Sequence, residues 1–425
     1  MGTTRKIARS YCAGLILILI LLGGVPSGTM AADTIKIGML EARSGPLEYT
    51  GRFWHAAVQF VVDEQNAKGG LFGKKIEILS EDSEWKADVA NRKAKKLIME
   101  DKIDILCSSG SGAVAIALNK IATDNKILNI HHASTTNDVM GREFSRYAFR
   151  VCQNAHNLFA AMGVSLANLP YRKPYIICPD YVAGYSFVDS FKKGLKTYVP
   201  DAKLVGEEYT PLGTKDFGPY ITKIIAAKAD VVALGLFGPD LINMIKQSRA
   251  MGLKVPFPFF TIQAEPYQMN ELKEDAVGIH VVTPYELRIK TPENEELVRR
   301  FHEKHKNDKD YLTWWPFEDC GVAIIGWKMV FAAFEKAGSL DPEKVIETFE
   351  GFQYKSPVGL WTMRKCDHQV LLPMYVGVIE GGSNPYFNGS IRSDVKFPWF
   401  GPNFQMIPAE KVTLPATPDY NPRCP

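Results

Sequence analysis

The sequence predicts an α/β protein of two lobes, each a parallel sheet covered on both faces by helices. Apolar runs of strand length alternate with stretches of helical periodicity at crossover spacing. The alternation comes in two successive blocks, and 425 residues exceed what one simple core organises.

In the first block, residues 35–40 read as a strand ending at the turn Ser44-Gly45-Pro46. Trp54, Ala57, Val58, Phe60, Val61 and Val62 then cover one face of a helix that Gly69-Gly70 stops. Residues 75–80 form the next strand and 87–99 the next helix. A third strand, 103–107, runs into Ser108-Ser109-Gly110-Ser111-Gly112 and an alanine-rich helix, and a fourth, 127–130, runs into His131-His132-Ala133-Ser134-Thr135-Thr136-Asn137. The second block gives strands at 175–178, 203–210, 230–236, 258–261 and 277–281, with helices at 185–197, 218–227 and 239–251. Helices at 293–306 and 322–337 complete the first sheet's cover, and 341–349 starts with Asp-Pro, a helix-initiating pair. Residues 381–425, rich in Pro, Asn and aromatics, read as an irregular surface segment.

Composition narrows the function. Arg5, Lys6 and Arg9, the apolar run 15–22 and the small residues 27–32 make a secretory leader of residues 1–31, too short in its apolar part to span a bilayer. Without its three cations the net charge of +3 falls to zero, which removes the field expected of nucleic-acid binding. Cys107, Cys152, Cys178, Cys320, Cys366 and Cys424 match no metal or redox spacing, and their pairing is left open. No dinucleotide fingerprint, Walker lysine or hydrolase elbow appears, and His131-His132 has no partner at ligand spacing, so neither cofactor nor metal is expected.

Ligands of open α/β sheets collect beyond the carboxyl ends of strands. Three such loops here, 44–49, 108–112 and 134–137, are dense in hydroxyls and glycine. Freed N–H groups at a helix start hold a carboxylate without a buried lysine. Ordinary N-capping calls for the same residues, and both readings stand at this point. Tyr181 and Phe237 occupy turns directly after strands of the second block, where they face such loops.

In this order the motifs resemble the leucine-binding type of extracytoplasmic solute-binding protein, from branched-chain amino acid ABC transporters. The similarity runs from about residue 35 to 380 and includes Asn66-Ala67-Lys68-Gly69-Gly70, Leu106-Cys107-Ser108-Ser109, Ser134-Thr135-Thr136-Asn137, Lys215-Asp216-Phe217 and Arg249-Ala250-Met251-Gly252-Leu253. It implies two Rossmann-like lobes of the periplasmic binding protein type I fold, joined by a three-strand hinge with the ligand cleft between them. The first lobe would be 33–151 and 285–360, the second 152–284 and 361–380. It further implies that Ser108 meets a ligand carboxylate with help from Ser134, Thr135 and Thr136, while Tyr181 and Phe237 close from the second lobe. Glu265 is the matching candidate for a ligand ammonium. The chain departs from the family at Asp180-Tyr181-Val182-Ala183-Gly184, where alanine stands before glycine. The expected role is periplasmic capture of a small carboxylate-bearing solute, an amino acid or aromatic acid, by a monomer serving an inner-membrane permease. A ligand sensor feeding a receptor and an exported enzyme are the alternatives.

Overall fold

In a computed structural model, the structure describes Gly2, residues 34–381 and residues 399–425, apart from 109, 256 and 402. The leader assigned to 1–31 and much of the segment after 381 lie outside the described residues.

The first lobe is built from β1 (Ile35–Glu41), α1 (Glu48–Ala67), β2 (Ile76–Asp82), α2 (Ala87–Met99), β3 (Ile105–Ser108), α3 (Gly112–Asn125), β4 (Leu128–His131) and β5 (Ala148–Arg150). Its strands run parallel in the order β2-β1-β3-β4-β5. The second lobe adds α4 (Ala155–Ala167), β6 (Pro174–Pro179), α5 (Val182–Tyr198), β7 (Gly206–Thr210), α6 (Gly218–Ala226), β8 (Val231–Leu234), α7 (Gly238–Ala250), β9 (Phe259–Thr261), α8 (Pro266–Leu272) and β10 (His280–Thr283). The chain then returns to the first lobe with α9 (Pro292–His305), α10 (Glu318–Ala337) and α11 (Pro342–Phe349), and with the small antiparallel sheet β11 (Gln353–Ser356), β12 (Gly359–Met363) and β13 (Val370–Leu371). Strand β14 (Met374–Glu380) re-enters the second sheet antiparallel to β10. The chain therefore crosses between lobes three times, after β5, after β10 and before β14.

Strands β3, β4, β6 and β8 are buried along their whole length, as apolar runs sandwiched between helix layers must be. Helix α4 answers to a different rule. Nearly all of it is buried, so it shows no amphipathic stripe, and sequence periodicity passed over it. Its start is fixed by a reciprocal capping box between Asn154 and Asn157.

The C-terminal segment is more ordered than an irregular coat. β15 (Trp399–Phe400) and β16 (Gln405–Ile407) pair with β14, and α12 (Ala409–Val412) packs on α4. Beyond it, Asn421 donates to the Met140 carbonyl, Arg423 pairs with Glu350, and Cys424 closes a disulfide with Cys366. Cys107, Cys152, Cys178 and Cys320 are free and buried.

The Cys366–Cys424 bridge closes a 58-residue separation. Chain-entropy arguments give such a link about 4 kcal/mol at most, and native bridges deliver about 2–4 kcal/mol. Cys424→Ser is expected to lower the unfolding free energy by that range in urea titration, and reductant is expected to do the same to the unaltered protein. Superposable curves for the two proteins would refute a stabilising role.

Candidate functional site

Parallel strands end their carboxyl edges on the same side of a sheet, where the following helices begin. Here the two sheets turn those edges toward each other, and a cavity of about 60 Å³ lies in the seam. From the first lobe it is lined by Thr50, Trp54 and Trp85, by Gly110 after β3, and by Ala133 and Thr135 after β4. The second lobe supplies Tyr181 and Phe237, the residues before α5 and α7, with Phe187, Ile262 and Gln263. Gln153 and Asp319 close it at the hinge, and among the described residues no Lys, Arg or His lines it. A larger depression of about 510 Å³ beside Glu41, His55 and Asp310 is confined to the first lobe.

Aromatic pairs join the lobes. Trp85 lies 6.0 Å from Phe237, and Tyr49 stacks on Tyr267 at 4.8 Å. Asn137 donates from its backbone to Ser186 and from its side chain to Ser190. Trp85 is placed by an unusual turn, in which Glu84 and Trp85 both take left-handed backbone, at φ 48° and 57°. Non-glycine residues held there cost about 1–3 kcal/mol each. Asp82 binds the Glu84 amide and Ser83 binds the Trp85 amide, which holds the turn.

Of the residues singled out from sequence, Thr135, Tyr181 and Phe237 line the cavity together. Ser108, Ser134, Thr136 and Glu265 do not, and each has a physical reason. Ser108 is 1% exposed, and its hydroxyl is bonded to His131 Nδ1 at 2.9 Å. The hydroxyls of Ser134 and Thr136 are buried without partners, the latter so close to Gly112 that any Cβ there would collide with it. Glu265 sits behind the cavity, where its carboxylate accepts from the Asp319 amide at 3.3 Å. Ser111 caps α3 by accepting from Val114, so the capping reading holds for that residue.

Arg150 supports the 134–136 loop from behind. Fully buried, its guanidinium donates to the carbonyls of Ser134 and Thr136 and to Gln369, and among the described residues no carboxylate pairs with it. Burial pulls its pKa down. Its charge is nonetheless retained at any ordinary pH. A lone buried cation thus stands beneath the first-lobe loop.

The hinge side carries the opposite sign. Glu265 from the second lobe meets Glu318 and Asp319 at the start of α10, where the Ala264 amide donates to Glu318 at 3.0 Å. Burial, and then the charge of Asp319, raises the pKa of Glu265. Burial, and then Glu265, does the same to Glu318. Asp319 is pushed up to about 6 by burial, against the pull of the Gln153 amide. The sequence signal for these acids was faint: Phe317-Glu318-Asp319 before an apolar run reads as a helix start. Trp54 had been legible as part of the apolar face of the first helix, and Gln153 carried no signal.

Because Asp319 binds its proton more tightly folded than unfolded, its contribution to stability is present below the ordinary carboxylate pKa. It is lost as pH rises through about 6. Urea unfolding of Asp319→Asn and the unaltered protein is expected to show a stability difference in favour of the variant that grows between about pH 4 and pH 7. A difference independent of pH would mean that Asp319 titrates as it does in the unfolded chain.

Comparison with known proteins agrees with this architecture. Residues 34–384 match the sequence model of the periplasmic binding protein family. The chain is 27% identical over 384 residues to the Leu/Ile/Val-binding protein homolog 4 of Brucella melitensis, covering 86% of this chain and 88% of that one. It is 24% identical over 363 residues to the leucine-, isoleucine-, valine-, threonine- and alanine-binding protein of Pseudomonas aeruginosa, covering 84% and 91%. The fold superposes on the closed leucine-, isoleucine-, valine-, threonine- and alanine-binding protein of Brucella ovis with a TM-score of 0.77 at 24% identity, over 90% of this chain and 97% of that one. It superposes on a Rhodopseudomonas palustris solute-binding protein in complex with 4-hydroxybenzoate with a TM-score of 0.76 at 20% identity, over 88% and 97%. The chain belongs to the type I, Leu/Ile/Val-binding family of periplasmic binding proteins.

Proposed function

We propose that the protein captures a small carboxylate-bearing solute with an apolar, ring-sized body and delivers it as a monomer to an inner-membrane permease. The observation that carries this reading is the polarity of the cavity. Its first-lobe end is formed by Gly110, two residues before α3, and by Thr135, whose neighbours Ser134 and Thr136 accept the buried guanidinium of Arg150 at their carbonyls. Its walls are aromatic: Trp54, Trp85, Tyr181, Phe187 and Phe237. An anion at that end is on the side of the buried Arg150 cation, and an apolar body fills the rest.

Two kinds of solute fit this pattern, aromatic acids and amino acids, and the acids at the hinge separate them. Asp319 lines the cavity, with Glu265 behind it. Ionised, Asp319 would accept an ammonium. Protonated, it would donate to a neutral acceptor. Relatives named for leucine, isoleucine and valine favour the first, and the fold neighbour holding 4-hydroxybenzoate favours the second.

The test is thermal unfolding and calorimetry against benzoate, 4-hydroxybenzoate, L-phenylalanine and L-leucine, with benzamide as the uncharged control. A solute at a hundred times its Kd stabilises the fold by about 2.7 kcal/mol, readily seen as a raised Tm. Phe237→Ala is expected to weaken the best solute about tenfold or more, since a buried aromatic wall is lost. Benzamide binding as tightly as benzoate, or no shift with any carboxylate, would reject the reading.

A further inference from the structure

The hydroxyl of Ser108 has already spent its proton. Asn119 is oriented by its amide nitrogen, which donates to the Val139 carbonyl at 2.7 Å and the Glu143 carbonyl at 2.9 Å. Its oxygen is therefore the atom that faces His131 Nε2 at 2.7 Å, so Nε2 carries the ring hydrogen. Asn129 donates to that same oxygen at 3.2 Å. Burial lowers the His131 pKa to about 3, so the ring is neutral and Nδ1 is left as an acceptor. Ser108 Oγ, 2.9 Å away, must donate to it. What remains on Ser108 is lone pairs, which repel a carboxylate.

Donors that remain unspent lie on the cavity wall. The indole nitrogens of Trp54 and Trp85 are buried with no hydrogen-bond partner, and an indole N–H can only donate. Both residues line the cavity, and both rings close on Gly110, but by different edges: a Cβ built there would lie 2.7 Å from Cζ2 and 3.2 Å from Cε2 of Trp85, the edge that carries Nε1, and 3.2 Å from Cζ3 of Trp54, the corner remote from its Nε1. Gly110 has φ 91°, so no larger residue suits the position on either ground. On the far side of the cavity, Gln153 Oε1 is a buried acceptor without a partner.

We propose that the carboxylate or carbonyl of the solute is held by the indole N–H of Trp85 above Gly110, and that Ser108 acts only as an ordering contact beneath it through His131. This rests on the capture reading above and sharpens its ligand class. The solute carries an acceptor at one end, a flat body that packs against the walls made by Trp85 and Phe237, and a hydrogen-bond donor at the other end that meets Gln153.

Calorimetry with 4-hydroxybenzoate, and with L-phenylalanine as a probe that lacks the far donor, on Trp85→Phe and Ser108→Ala tests the assignment. Trp85→Phe keeps a ring and removes the N–H, and is expected to weaken bound 4-hydroxybenzoate about tenfold. Ser108→Ala is expected to stay within about twofold of the unaltered protein while lowering its unfolding midpoint, because His131 Nδ1 loses its donor. In ¹H–¹⁵N spectra the Trp85 indole resonance, assigned by its loss in Trp85→Phe, should move on adding the probe. Tenfold loss in Ser108→Ala with Trp85→Phe unaffected would overturn the proposal. The ¹⁵N shifts of His131 in the ligand-free protein give an independent check: hydrogen on Nδ1 would overturn it even where a variant fails to fold. If neither probe binds but His131 carries its hydrogen on Nε2, the capture reading with these solutes is what fails.

Discussion

Polar groups taken out of water without partners are the constraint around which the seam between the lobes is organised. Each lobe alone would leave its strand-end loops solvated. Arg150 lies buried on the first-lobe side, and Glu265, Glu318 and Asp319 are buried together where the lobes meet at the hinge. Such groups cost far more buried than exposed, and the cost falls when a complementary charge or donor arrives. Closure is therefore an unfavourable step that a suitable solute makes favourable, which is the differential affinity any population shift requires. The aromatic contacts across the seam supply the apolar part of the same balance, because they exclude the water that would otherwise solvate the charges.

Much of the scaffold was legible because it obeys period rules. Strands β1 to β4 and β6 to β10 were found within a few residues, since buried parallel strands read as short apolar runs. Helix α4 escaped for the opposite reason: with no polar face it has no stripe to detect. The site was legible by loop but not by side chain. Ser108 and Thr135 belong to loops of the same composition, yet only the second reaches the cavity. Ser108 is the register partner of His131 on the neighbouring strand, which puts both side chains on one face and ties them together. Register between strands is a tertiary fact, and composition does not carry it.

Trp85 shows the same limit from another side. Nothing in Ser83-Glu84-Trp85-Lys86 signals left-handed backbone, which sequence ordinarily announces with glycine or asparagine. Two consecutive residues are held there by Asp82 and Ser83, and the effect is to present an indole to the opposite lobe. Strain of this kind persists only where neighbouring contacts over-determine it, and it places the ring before any solute arrives.

The C-terminal segment adds a restraint that two hinged lobes do not by themselves possess. β16 and α12 fasten it to the second lobe, through β14 and through the bond from Asn157 to the Val412 carbonyl. Asn421, Arg423 and Cys424 fasten it to the first, at Met140, Glu350 and Cys366. Tyr420 reaches the carbonyl of Asn137, the residue that also bonds Ser186 and Ser190 across the seam. A rotation that parts the lobes at the cavity must then be absorbed by residues 413–419, which run without helix or strand between the two anchorages. Movement at the mouth of the cleft and strain in this connection are thus two readings of one displacement. The disulfide sets the limit, because it is the one anchorage of the segment that a conformational change leaves unbroken.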